Sequence, residues 1–124
     1  MPTHQQMLAA VQSYVDAFAR EDADAIASLY AADATVEDPV GSPPLHGLDA
    51  IRGFYGHSVS LKAKLTLEGP VRTAGNVAAF AFSVRIEHGS APMRIDVIDT
   101  FHFNDQGKIV AMRAYWGSDN VGPA

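Results

Sequence analysis

The sequence predicts an α+β domain in which a strongly curved, mixed or antiparallel sheet wraps around N-terminal helices. Three observations carry this expectation. Met7, Val11, Tyr14, Val15 and Phe18 recur at helical spacing. From Lys62 onward the apolar period shortens to two, through residues 62–68, 77–87, 93–103 and 108–116. Between these runs lie turn signals at Gly69-Pro70, Gly75-Asn76, residues 88–92 and Asn104-Asp105-Gln106-Gly107. A twisted sheet around one long helix is cone-shaped, with a pocket at its mouth.

Composition bounds what such a domain does. At 124 residues the chain is expected to be one domain, residues 1–124, with a single core. A net charge of −5 without a Lys/Arg cluster disfavours nucleic acid and anionic membrane surfaces as partners. With no cysteine, disulfides and thiolate metal sites are excluded. The N-terminal residues lack the basic-then-apolar pattern of a signal peptide, and no apolar run approaches a membrane span, so a cytoplasmic location is expected.

In chain order, Thr3-His4-Gln5-Gln6 fits a capping box and starts the first helix. Its apolar stripe turns Tyr14 inward, where a phenol needs a hydrogen-bond partner; a backbone carbonyl would serve as well as a functional group. Asp22 or Asp24 caps a short second helix through Ala25, Ile26, Leu29 and Tyr30. Thr35-Val36-Glu37-Asp38 reads as a strand stopped by Pro39, with Val36 and Asp38 on one face. Asp38 there is either an inward carboxylate or a solvated residue opening a turn. After a Gly/Pro-rich loop, Leu48, Ile51, Phe54 or Tyr55, and Val59 outline a third helix of about ten residues. The strand over residues 77–87 carries Ala78, Phe80, Phe82, Val84 and Ile86 on one face and small residues on the other, which implies cover on both sides.

The strand at residues 93–103 holds the most informative residue. Met93, Ile95, Val97, Asp99, Phe101 and Phe103 share one face, so a carboxylate sits in an apolar row. Ionised there, it would cost several kcal/mol; holding its proton avoids that cost and makes it a hydrogen-bond donor. An early strand end, or a buried Arg or Lys partner, would also explain it. Taken jointly, Tyr14, Asp38 and Asp99 supply one carboxylate and two neutral donors in apolar surroundings. That set suits removal of a proton α to a carbonyl, with the donors holding the enolate oxygen.

Residues 31–41, then Pro44-Leu45-His46-Gly47 and Phe54-Tyr55, resemble the bacterial Δ5-3-ketosteroid isomerases. So do Asp96-Val97-Ile98-Asp99, Phe101-His102-Phe103 and Met112-Arg113-Ala114-Tyr115-Trp116, and the similarity runs from Tyr14 to Trp116. The resemblance implies the cone-shaped fold of the nuclear-transport-factor-2-like superfamily, whose functions are diverse. It implies that Asp38 is the base, and that Tyr14 and protonated Asp99 hold the C3 oxygen of a steroid, an arrangement long described for these isomerases. It further implies Tyr30 and Tyr55 in series behind Tyr14, a homodimer, and no cofactor, because the ketone of the substrate is the electron sink. Phe54, Phe82, Val84, Met112 and Trp116 are the expected walls of the steroid slot.

Two rivals remain. One is another enzyme on this fold, of polyketide cyclase, dehydratase or epoxide hydrolase type. The other is a silent module that binds a hydrophobic ligand, in which Tyr14 and Asp99 would point to separate places. The histidines His4, His46, His57, His88 and His102 lack ligand spacing, so no metal site is expected. Asp96, on the strand face opposite Asp99, reads as solvated or interfacial, and Glu37, facing away from Asp38, reads as structural.

Overall fold

The structure, a computed structural model, describes residues 1–124 except His88 and Ser90, so those two members of the expected 88–92 turn lie outside the described residues. Helix α1 (His4–Ala19) opens as the sequence implies: Thr3 Oγ1 accepts from the Gln6 amide at 3.1 Å, and Gln6 Oε1 accepts from the Thr3 amide at 2.8 Å. Its inward stripe buries Met7, Val11, Tyr14 and Phe18. Helix α2 (Ala23–Ala27) is capped by Asp22, whose side chain accepts from the Ala25 amide. Helix α3 (Leu48–Ser60) follows Gly47, whose φ of +88° lies in the left-handed region that glycine enters without strain.

The strands are β1 (Tyr30–Glu37), β2 (Leu45–His46), β3 (Lys64–Leu67), β4 (Arg72–Ala74), β5 (Val77–Ile86), β6 (Met93–Phe103), β7 (Ile109–Tyr115) and β8 (Val121–Pro123). They form one open mixed sheet in the order β2-β1-β7-β6-β5-β3, with β4 beside β5 and β8 beside β6. All pairings are antiparallel except β1 with β7. The helices cover the inner face, and the core joins Val11, Phe18, Ile51, Phe80, Phe101 and Ile109. No helix among the described residues is long and apolar enough to cross a membrane.

Three elements differ from expectation. The first is β2, which lies inside the expected Gly/Pro-rich loop and pairs with Thr35 and Val36 of β1. Tyr30 opens β1 instead of closing α2, and β1 begins five residues before Thr35. Residues 30–34 carry no clear alternation of their own; Tyr30 reaches strand geometry by pairing in parallel with Ile109, a non-local contact. The tail forms β8, which runs along Met93–Ile95 where β7 has already turned away after Tyr115.

Candidate active site

A cavity of about 400 Å³ opens between α1, α3 and the inner faces of β5 and β6, within the ~300–1,000 Å³ usual for small-molecule sites. Tyr14, Asp38 and Asp99 all border it, and most of the remaining wall is aromatic or aliphatic. The separation of Tyr14 from Asp99 expected of a silent module is absent.

Asp99 stands in the middle of β6, opposite Phe80 on β5 and Ala114 on β7. Strand alternation turns it to the core, where it is 1% exposed. Neither of its oxygens has a hydrogen-bond partner among the described residues, and no salt bridge reaches it there. The strand does not end early, and the buried Arg or Lys partner is not found. Burial, and then the nearby charge of Asp38, push its pKa well above the ordinary carboxylate value, which favours the protonated form.

Tyr14 projects from α1 and meets Tyr55 of α3 hydroxyl to hydroxyl at 3.0 Å; Tyr55 in turn meets Tyr30 of β1 at 2.5 Å. The partner of the buried phenol is therefore a second phenol, not a backbone carbonyl. Edge-on contacts with Phe18, Phe101 and Tyr55, with centroids 5.0 to 5.8 Å apart, fix the Tyr14 ring. Burial raises all three phenols well above their ordinary value, which keeps them neutral donors.

Asp38 follows β1 directly and is half-buried. The Trp116 indole Nε1–H donates to its Oδ1 at 2.7 Å. Burial raises its pKa and the indole bond pulls it back down, leaving it above the ordinary value. Glu37 points the other way, accepting from the Gly41 amide and facing Arg113, and Asp96 pairs with Arg94 at the surface.

Of the expected walls, Phe54, Phe82, Val84 and Trp116 border the cavity. Met112 does not. It is 1% exposed, opposite Phe101 on β6 and Val36 on β1, and fills the core where the sheet is covered on both edges. Leu61, Leu65, Ile86, Ile95, Val97 and His57 also line the cavity and are not among the walls the sequence predicts. Ile95 and Val97 were within reach, because they share the Asp99 face. The sequence predicts Trp116 as a wall only, and nothing around it in the chain marks it as a donor to Asp38.

The architecture is that of the nuclear-transport-factor-2-like proteins. Within them, the pattern of the SnoaL-like domain matches residues 11–112, and the chain belongs to that family. A steroid Delta-isomerase of Nocardioides simplex is 41% identical over 116 residues, 94% of this chain and 94% of that one. At that likeness over nearly the whole length, the chain is an isomerase. A solved structure of SalBIII, described as an epoxide hydrolase/cyclase-like enzyme in pyran ring formation in the polyether salinomycin, matches with a TM-score of 0.93 and 26% identity, covering 100% of both chains.

Proposed function

We propose that residues 1–124 act as one unit that converts Δ5-3-ketosteroids to their conjugated Δ4 isomers. The observation that carries the reading is that Asp99 and Tyr14, both pushed by burial toward their neutral forms, border the same apolar cavity as the half-buried carboxylate of Asp38. The Nocardioides relative supports the substrate class.

Asp38 takes a proton from the carbon between the ketone and the double bond. The electrons of that C–H bond move into the ring system and place negative charge on the C3 oxygen. Tyr14 and Asp99 donate hydrogen bonds to that oxygen. Asp38 then returns the same proton two carbons further along, and the double bond ends in conjugation with the ketone. No atom is gained or lost. General-base action contributes about 10²–10⁴-fold and each oxyanion donor about 10²–10³-fold. The apolar walls strengthen both by excluding water.

The test is direct. The protein is mixed with a Δ5-3-ketosteroid and the absorbance of the conjugated enone is followed, with Asp38→Asn beside it. Turnover should fall by at least about 10²-fold in the variant while a phenolic steroid still binds. Equal turnover by both proteins would sink the assignment of the base.

The likeness to SalBIII favours a second reading, epoxide opening, in which the same donors would protonate an epoxide oxygen. A wild-type protein that consumes a hydroxy-epoxide and leaves the ketosteroid untouched would establish it. We also propose a homodimer, formed through the apolar row on the outer face of the sheet at Ala81, Ile98 and Tyr115.

A further inference from the structure

We propose that His57 is a second polar contact point for the substrate, binding an oxygen at the end of the steroid remote from the reacting ketone. This rests on the isomerase reading above and extends it to specificity.

The cavity has two distinguishable ends. Asp99 lies opposite Phe80, and Ile95 lies opposite Val84 four residues away along β6. At ~3.3 Å per residue that is about 13 Å of wall, suited to a long, rigid substrate. Helix α3 runs between the ends. Tyr55 meets Tyr14 at the reacting end. The helix then closes at Ser60 and leads through Leu61 and Ala63 into β3, whose Leu65 pairs with Val84. The C-terminal turn of α3 therefore sits toward the Val84–Ile95 end.

Two polar side chains border the cavity on this turn, His57 and Ser58. The Ser58 hydroxyl is committed to the Phe54 carbonyl at 3.2 Å. The His57 imidazole is exposed at the rim and makes no side-chain hydrogen bond among the described residues. Around it the wall is Leu61, Leu65, Ile86 and Ile95. A hydrogen bond made at this solvent-open rim discriminates modestly, because water competes for the substrate oxygen while the surrounding side chains offer it no other partner. Imidazole offers one N–H and one lone pair, so it accommodates a carbonyl or a hydroxyl.

The experiment compares two Δ5-3-ketosteroids that differ only in a carbonyl or a methylene at C17, using wild type, His57→Leu and His57→Gln. Wild type should prefer the carbonyl steroid by about 3- to 10-fold in kcat/KM, mostly through KM. That preference should collapse toward parity in His57→Leu and persist in His57→Gln, which keeps an N–H donor. A preference that survives in His57→Leu, or is missing in wild type, overturns the subsite alone. Failure of wild type to turn over either steroid overturns the isomerase reading and the subsite with it.

Discussion

Trp116 and Asp38, 78 residues apart, are joined by an indole N–H to carboxylate bond of 2.7 Å. The bond holds the Asp38 carboxylate in one orientation and counters the desolvation that raises its pKa. Trp116→Phe removes the donor and keeps most of the wall. The pKa of Asp38 should then rise further, and the acid limb of the kcat/KM profile should move to higher pH. Below that limb the variant should lose activity, on the order of tenfold for one lost charge-assisted bond. At high pH it should approach wild type, because a more basic carboxylate takes a proton more readily once ionised. Unshifted limbs in the two pH–rate profiles would show that the bond does not tune the base.

The phenols make a graded series. Tyr14→Phe removes a donor aimed into the cavity and should lower kcat by about 10²–10³-fold. Tyr55→Phe leaves the Tyr14 hydroxyl in place but without its partner, so the loss should be smaller. Tyr30→Phe acts one bond further away and should be smaller still. Stability should not follow that order. Tyr55 bonds on both sides, so its removal strands two buried hydroxyls, each costing about 1–3 kcal/mol. Denaturant melts and kcat measured on the three variants separate the two rankings.

Asp99 gives a stability signature independent of any substrate. Its folded pKa is raised well above 3.8 by burial and by Asp38. The folded state thus holds a proton that the unfolded chain releases, so stability is greatest below the unfolded value. It falls as pH rises through the window up to the folded pKa, by at most about 1.4 kcal/mol per pH unit for one proton. Asp99→Asn titrates nothing at this position and should flatten that part of the curve. The same variant should also retain a donor for the oxyanion and lose less activity than Asp99→Ala. Parallel stability–pH curves for wild type and Asp99→Asn would show that Asp99 is not buried with its proton.

Much of this site is legible in the sequence, and the limit is physical. Period alone places Asp99 and Tyr14 on apolar faces, because alternation on β6 and helical spacing on α1 are local properties. Pro39 marks the end of β1, which stops at Glu37 just before Asp38, for the same reason. The Trp116–Asp38 bond has no local signal. It exists because β1 and β7 pair in parallel, setting Glu37 against Arg113 and so bringing the residues just beyond them together. Met112 fails in the opposite way. Its inward direction is correctly read, but period cannot tell an inward position over the packed core from one over the cavity. β8 is not legible in the sequence because Val121-Gly122-Pro123 has no alternation and owes its strand geometry to Met93–Ile95.

The outer face of the sheet supports the proposed dimer. Ala81, Ile98 and Tyr115 lie side by side across β5, β6 and β7, and Ile98 and Tyr115 are 49% and 45% exposed. The neighbouring row is Ala79, Thr100 and Arg113, and the Thr100 hydroxyl is buried with no partner among the described residues. Small residues on β5 allow close approach, and exposed apolar side chains at the centre of a sheet mark an interaction surface. In the proposed dimer this face would meet a second copy of itself about a two-fold axis, the commonest arrangement of soluble oligomers. Sedimentation of wild type should give twice the chain mass at micromolar concentration. Ile98→Asp with Tyr115→Asp should shift it to the monomer, since two charges would be desolvated in each half of the contact. Both side chains point away from the cavity, so a monomeric variant that keeps its far-UV signature would separate assembly from folding. A wild-type protein that sediments as a monomer at every concentration would end the case for this face.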